Sequence, residues 1–399
     1  MDFTLPAELV EFQELIREVA ADQVACLAEE VDRTGSYPEA VFEIFRDVGL
    51  LGLCIPAEQG GSGAGLLGLA LAIEEVAKVS LAAAMVLELA RLSAGPVMSA
   101  GTSEQKQGYL AGIADGSQRG AVALYEQRCG FDVSGIRTTA ERDPEGTGGW
   151  VLSGTKCSVA GVCQADWFAV FAKTDGAENR ARDSVSAFLV ERSLPGVSLG
   201  KLDDRTGIRG VDSGELVLDQ VRVVGDCVLG DVGGGLRLAM LGLNLASPLA
   251  AARAVGLAEA ALMAIVESFT EPEPGTAEPQ LDPGGAGWDQ HQNLRCEVAS
   301  LAADVEAVRL LTYRAAWMVD VGQIDRQWSA QLALANHRAA DLAVAATALA
   351  AKVARGPSVE RWVRDAVALT LPAGSAQECL ELIAQGVYTR KLWWGGLEL

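Results

Sequence analysis

The chain has 399 residues, half of them hydrophobic, and its 53 acidic side chains against 32 basic ones give a formal net charge of -21. Such a chain can bury a large core and has the length for two or three domains. The negative balance argues against nucleic acid as a partner, because phosphate binding needs a cationic face, and any phosphate-bearing ligand must find a local basic patch. Eight cysteines, at 26, 54, 129, 157, 163, 227, 296 and 379, form no C-x-x-C pair and no Cys/His cluster at metal spacing, so reduced cytoplasmic thiols and no metal are expected. The segment Met1-Asp2-Phe3-Thr4-Leu5-Pro6 has neither the basic region nor the apolar stretch of a signal peptide. No apolar run is expected to reach membrane-spanning length.

From Pro6 to about Gly116, apolar residues recur at helical spacing, as in Val10-Phe12-Leu15-Ile16-Val19 and Val41-Phe42-Ile44-Phe45-Val48. The pattern then shifts to short β-rich runs such as Trp167 to Ala172, Val185 to Val190 and Glu215 to Leu218, separated by Gly, Asp and Pro. After Gly233-Gly234-Gly235 come long alanine- and leucine-rich stretches, Leu236 to Phe269, Leu294 to Val321, Ala330 to Ala354 and Ser375 to Val387, which read as helices. Between the first two, Glu271 to Gly287 carries four prolines and four glycines and reads as a long connecting loop. The expected organisation is α+β: a helical domain over 1–117, a β domain over 118–230 and a helical bundle over 231–399.

Several stretches, in order, carry a resemblance. They are Leu50 to Gly63, Gly101 to Leu110, Gly135 to Ala140, Leu152 to Lys156, Gly207 to Gly210, and Val359-Glu360-Arg361-Trp362-Val363-Arg364-Asp365-Ala366. Together they make the chain similar to the acyl-CoA dehydrogenase family along nearly its whole length. The resemblance implies an N-terminal helical domain, a middle β-barrel domain and a C-terminal four-helix bundle.

It also implies FAD, an acyl thioester, and a carboxylate that removes the proton at the α carbon while hydride leaves the β carbon. The residues at the implied positions depart from that chemistry. Counting on from Arg364-Asp365 puts the usual base at Ala373, and the alternative position on the first bundle helix falls at Leu245 or Ala246. A rescue by Glu378 would lie more than one helical turn away. The flavin and thioester loop reads Tyr125-Glu126-Gln127-Arg128-Cys129-Gly130-Phe131-Asp132, in which Glu126, Gly130 and Asp132 match the family. The segment that should stack on the flavin ring reads Ser158-Val159-Ala160-Gly161. The arginine clamp for the flavin diphosphate becomes Pro272-Glu273-Pro274-Gly275-Thr276, and the glycine turn becomes Leu349-Ala350-Ala351-Lys352-Val353. Gln292 matches a cofactor-facing residue of the family. If FAD binds, Glu126, Gly130, Asp132 and Gln292 are the residues to hold it, but the combined losses lead us to expect none.

Tyr125 and Arg128 on that loop, and Arg209, are the candidate catalytic groups: a phenol beside a guanidinium makes an acid or anion-binding pair. For Tyr125 and Phe131, filling the space of an absent ring is the preferred reading, and Arg209 can equally pair with Glu215 or Asp212. His291 and His337 have no recognisable catalytic partner, Cys157 and Cys163 read as structural thiols, and Trp393-Trp394 reads as interface packing. Three functions fit. One is a repurposed enzyme performing flavin-independent elimination, addition or cyclisation on an acyl thioester of CoA or a carrier protein. Another is a non-catalytic subunit beside a related chain, and the last is an FAD-dependent dehydrogenase with a displaced base.

The C-terminal helices carry more Ala and Leu than the inner face of one bundle hides, so a homodimer or homotetramer is expected. Light scattering at micromolar concentration should give a multiple of the 41.7 kDa chain mass. A monomeric mass would overturn the expectation and point to a related subunit.

Overall fold

The computed structural model describes residues 4–129, 133–144, 148–174, 184–270, 292–323, 328–354, 356–370 and 376–388. Six α-helices come first: α1 (Ala7–Val19), α2 (Ala28–Thr34), α3 (Glu39–Asp47), α4 (Gly65–Val79), α5 (Leu81–Ala100) and α6 (Ser103–Ala114). Local chemistry starts them. Ser80 caps α5 by accepting from the Ala83 N–H at 3.2 Å, and Thr102 with Gln105 forms a capping box on α6. Helix α4 has no cap of its own, and its first amides, Leu66 and Leu67, donate to the Asp320 carboxylate at 2.6 and 2.9 Å, 254 and 253 residues away in the chain.

The strands are β1 (Gly120–Ala123), β2 (Thr139–Arg142), β3 (Trp150–Ala160), β4 (Trp167–Thr174), β5 (Val185–Glu191), β6 (Val197–Leu202), β7 (Ser213–Val223) and β8 (Val228–Leu229). They form one sheet in the order β6-β7-β3-β2-β4-β5-β8, with β1 running parallel to β4. Strands β4 and β5 are buried on both faces, which explains their unbroken apolar runs. Trp167, Ala169, Phe171, Ala187 and Leu189 face Ile113 and Leu238 on the helices, while Phe168, Val170, Phe188 and Val190 pack with Trp150, Leu152 and Leu218 of the sheet itself. The period of two along each strand thus divides its side chains between two cores.

Helices α7 (Gly235–Thr270), α8 (Gln292–Asp320), α9 (Trp328–Val353), α10 (Pro357–Leu369) and α11 (Ala376–Tyr388) complete the chain. Among the described residues the expected four-helix bundle therefore holds five helices, with α10 and α11 both packed on α9. Helix α7, about 54 Å long by helical rise, continues through Pro248 and packs on α4, α5 and α9. A Cβ at Gly256 would overlap the Glu74 carbonyl, so glycine sets the close approach of α7 to α4. The expectation that no apolar run reaches membrane length is corrected here. Leu81–Ala100 and Gly235–Phe269 are long and apolar enough, but 72% and 67% of their most apolar windows are buried inside the protein, as in core helices. The Glu271 to Gly287 loop lies outside the described residues.

One polar cluster joins the three parts. Arg364 on α10 pairs with Asp32 of α2 at 2.6 Å and donates to the Thr206 carbonyl at 3.0 Å. Its neighbour Asp365, buried, accepts from the Ile208 N–H at 2.5 Å. Ile208 has a φ of 51°, and a Cβ at Gly207 would overlap the Arg364 carbonyl, so the Thr206–Ile208 turn is held tightly against α10.

Burial pushes the Asp365 carboxyl up to about 6 against an ordinary 3.8, although the Ile208 amide and the charges of Arg361 and Arg364 oppose the rise. The folded state then holds this proton more tightly than the unfolded chain. The contribution to stability is greatest below about pH 4 and is lost as pH rises through about 6. Asp365→Asn keeps an acceptor and cannot ionise. Urea unfolding should show the variant gaining about 2–3 kcal/mol relative to the parent between pH 4 and 7; a difference independent of pH would refute the assignment.

Candidate active site

A cavity of about 480 Å³ lies between α5, α7, the end of α10, strands β1 and β3, and the segment Asp203 to Gly207. The chain leaves β1 through Leu124 and Tyr125, and the Tyr125 carbonyl accepts from the Cys157 N–H at 2.9 Å, so the loop is tied to β3. Pairing of β3 with β7 shifts register between Lys156 and Val159, and Ser158 adopts a φ of 51° there. Such a bulge re-aims a side chain, and Ser158 lines the cavity with Ala160. Apolar side chains supply most of the remaining wall, Pro96 and Leu92 from α5 and Leu245, Ala246 and Leu249 from α7 among them.

Tyr125 is half-buried on the cavity wall. Glu126, the next residue, turns the other way into the sheet and is buried. Its carboxylate accepts from the amides of Arg137 and Thr138 at 2.7 and 3.0 Å, from the Thr138 hydroxyl at 2.7 Å, and from the Nζ of fully buried Lys156 at 2.7 Å. Burial works against this carboxylate, but the hydrogen bond and charge of Lys156 outweigh it and hold the group below its usual range. Glu126 anchors the loop from beneath and has its oxygens committed to protein donors.

The other anticipated groups do not converge on Tyr125. Arg128 is exposed and is not part of the cavity wall. Arg209 is exposed beside Gly35 and within electrostatic reach of Glu360, on the far side of the turn from the cavity. The partners considered for it are used elsewhere: Asp212 accepts from the Cys163 N–H at 2.8 Å and Glu215 from the Lys201 N–H at 3.0 Å. Gln292 is exposed at the start of α8 and likewise is not part of the wall. Gly130, Asp132, His291, Ala373 and the Trp393-Trp394 pair lie outside the described residues. Leu245 and Ala246, the alternative base positions, do line the cavity, and both present hydrocarbon. Cys163 is pushed up to about 11, chiefly by burial and then by Asp212, and burial also raises Cys157, so neither thiol is primed as a nucleophile. His337 sits on α9 with its Nε2 3.8 Å from Asp341. Among the described residues no group of His, Cys, Asp and Glu has the arrangement of a metal site.

Six charged wall residues were not anticipated from the sequence: Glu88 and Arg91 on α5, Asp203, Asp204 and Arg205 before the clamped turn, and Arg253 on α7. Glu88 and Arg253 are 2% and 3% exposed, and the Arg253 Nε lies 2.5 Å from the Glu88 Oε2. Burial raises the Glu88 carboxyl, with Arg253 opposing the rise. For Glu88 and Arg253 a signal was present, since each is a single charge inside an apolar helical run, Leu81 to Ala90 around Glu88 and Leu249 to Leu257 around Arg253. A charge on such a face is buried by the same packing that buries its neighbours.

Among the described residues, positions 125, 158 and 349–353, which the family resemblance assigns to flavin contact, do not carry the groups expected there. Position 158, which should stack on the ring, offers a hydroxymethyl group, and a phenol ring occupies the wall at 125. The stretch Leu349 to Val353 continues α9 with Leu349 and Ala350 buried, so no glycine turn opens there toward a cofactor. The stretch replacing the diphosphate clamp lies outside the described residues.

Comparison with known proteins fits this architecture. The family profiles for the acyl-CoA dehydrogenase N-terminal, middle and C-terminal domains match residues 6–117, 121–221 and 233–388. The chain is 31% identical over 396 residues to the acryloyl-CoA reductase (NADH) of Anaerotignum propionicum, covering 98% of this chain and 97% of that one. Butyryl-CoA dehydrogenase from Megasphaera elsdenii superposes with a TM-score of 0.87 at 29% identity, covering 97% and 100% of the two chains. A chain from a structural study of the electron transferring flavoprotein of Acidaminococcus fermentans superposes with a TM-score of 0.88 at 30% identity, covering 97% and 99%. With matches to all three parts in order and this helix–sheet–helix architecture, the chain belongs to the acyl-CoA dehydrogenase family.

Proposed function

We propose that this protein binds an acyl thioester, carried on CoA or a carrier protein, in the cavity between α5, α7 and the sheet, and acts on it without flavin by elimination, addition or cyclisation. These conversions move protons and leave the net oxidation level of the substrate unchanged, so they require acid and base groups but no hydride acceptor. The names of the relatives, acryloyl-CoA reductase and butyryl-CoA dehydrogenase, support an acyl-CoA as the ligand class. The observation that carries the reading is a contrast within one cavity. It keeps apolar walls and about 480 Å³, within the range of small-molecule sites, while the positions that should stack on a flavin and abstract a proton carry Ser158, Leu245 and Ala246. Tyr125, whose phenol can donate a proton or a hydrogen bond, is the group we assign to the reacting end. We place it in the cytoplasm as a homodimer or homotetramer, and the exposed Leu310 and Trp317 on α8, with Val321 just beyond its end, suit such a contact.

The purified protein should show no flavin absorbance after incubation with excess FAD and gel filtration. Stoichiometric retained FAD would sink the flavin-independent reading and restore an oxidising one. Ala373→Glu should not create dehydrogenase activity, because a base without a hydride acceptor completes no oxidation. Dye reduction by that variant with butyryl-CoA and added FAD would contradict the assignment.

A further inference from the structure

The guanidinium of Arg253 is a group in the cavity wall whose demand for oxygen acceptors the protein meets poorly. It is almost fully buried, at 3% exposure, in a wall otherwise rich in hydrocarbon. A guanidinium carries five N–H donors. The described partners of Arg253 are the Glu88 Oε1, at a long 3.3 Å from its Nη2, and the Met85 thioether, which lies against its Nη1. A thioether is a feeble acceptor. The Nε stands close to the Glu88 Oε2, yet neither atom completes a hydrogen bond with proper direction. Among the described residues one carboxylate, badly aligned, is its oxygen ligand.

Two more cations line the same cavity. Arg205 is half-buried, donates to the Val211 carbonyl at 3.2 Å, and lies within electrostatic reach of Arg253. Arg91 is half-buried too, its guanidinium extending over Gly95, where a Cβ would collide with Nη1. The other carboxylates of the wall, Asp203 and Asp204, are exposed, and Asp203 already accepts from the Ser213 hydroxyl at 2.7 Å. Arg205 also has Asp203, Asp365 and Asp212 within electrostatic reach, so the cation least well matched among the described residues is Arg253, set against Glu88. A desolvated guanidinium whose one carboxylate is poorly aligned favours a further anion with planar, bidentate oxygens.

We infer that the buried end of the cavity receives a carboxylate at the far end of the acyl chain, so that the substrate class is the monothioester of a dicarboxylic acid. The inference rests on the acyl-thioester reading above. Arg253 takes the carboxylate, Arg205 adds charge from the clamped turn, and Glu88 both orients Arg253 and competes with the ligand for it.

The test is calorimetric binding to the full-length protein of pantetheine thioesters, whose arm is common to CoA and carrier proteins. Dicarboxylic monothioesters of four to eight carbons are compared with alkanoyl thioesters of the same carbon number. At the preferred length the carboxylate should bind at least tenfold more tightly. Arg253→Met should abolish that preference, and Arg205→Met, at a half-buried position that tolerates change better, should reduce it severalfold if the first variant does not fold. Glu88→Gln should raise affinity for the carboxylate series relative to the alkanoyl series, an asymmetry that a merely structural Glu88 would not produce. Equal affinity for the two series at every length, or a preference that survives both arginine substitutions, overturns the carboxylate assignment and leaves the thioester reading standing. Failure of both series to bind overturns both.

Discussion

The clamp centred on Arg364 and Asp365 is the constraint from which the geometry of the cavity follows. Three segments far apart in the chain meet there: α2 through Asp32, the turn from Thr206 to Ile208, and α10 itself. The turn carries Arg205, Thr206 and Gly207 along the cavity wall, and the same helix contributes Val367 and Ala368 to it. A strained φ at Ile208 persists because two hydrogen-bonding groups of α10 hold the backbone on either side of Gly207. The motif Arg364-Asp365 thus has a structural duty that is independent of any base on the loop that follows it, which accounts for its presence in a chain with alanine at 373.

The region around Tyr125 divides in the same way. Beneath the loop, the ion pair of Glu126 with Lys156 and the bonds from Arg137 and Thr138 hold the backbone in place. Breaking a buried pair of this kind by removing one partner costs about 3–5 kcal/mol, so these residues are bound to the fold whatever chemistry takes place above them. Above the loop, the side chains that face the cavity are a phenol at 125 and a hydroxymethyl group at 158. Scaffold residues and cavity-facing residues stand next to each other in sequence and answer to different energetic demands.

Much of this was legible before folding. Helical spacing over the first hundred residues, β-rich runs in the middle and alanine-rich stretches at the end led to the right order of layers, and the helix limits Leu236 to Phe269 and Leu294 to Val321 fall within two residues of α7 and α8. The direction of the Glu126 side chain was not legible, because a sequence match cannot say toward which side of a loop a carboxylate turns. Arg128 and Arg209 were near Tyr125 in motif order and are not in the cavity wall, since the turn at Gly207 and the exposed loop carry them outward.

What the sequence determined by itself is what local periodicity and composition encode: the element types, their order, the family, and the absence of a carboxylate at 245, 246 and 373. Tertiary structure alone decided which charges share a space. Glu88 and Arg253 are 165 residues apart and become an ion pair because α5 and α7 lie side by side. Arg205 joins them through a turn held by a helix more than 150 residues further along the chain. Pairing across such separations depends on packing of whole elements, and no local pattern of residues specifies it.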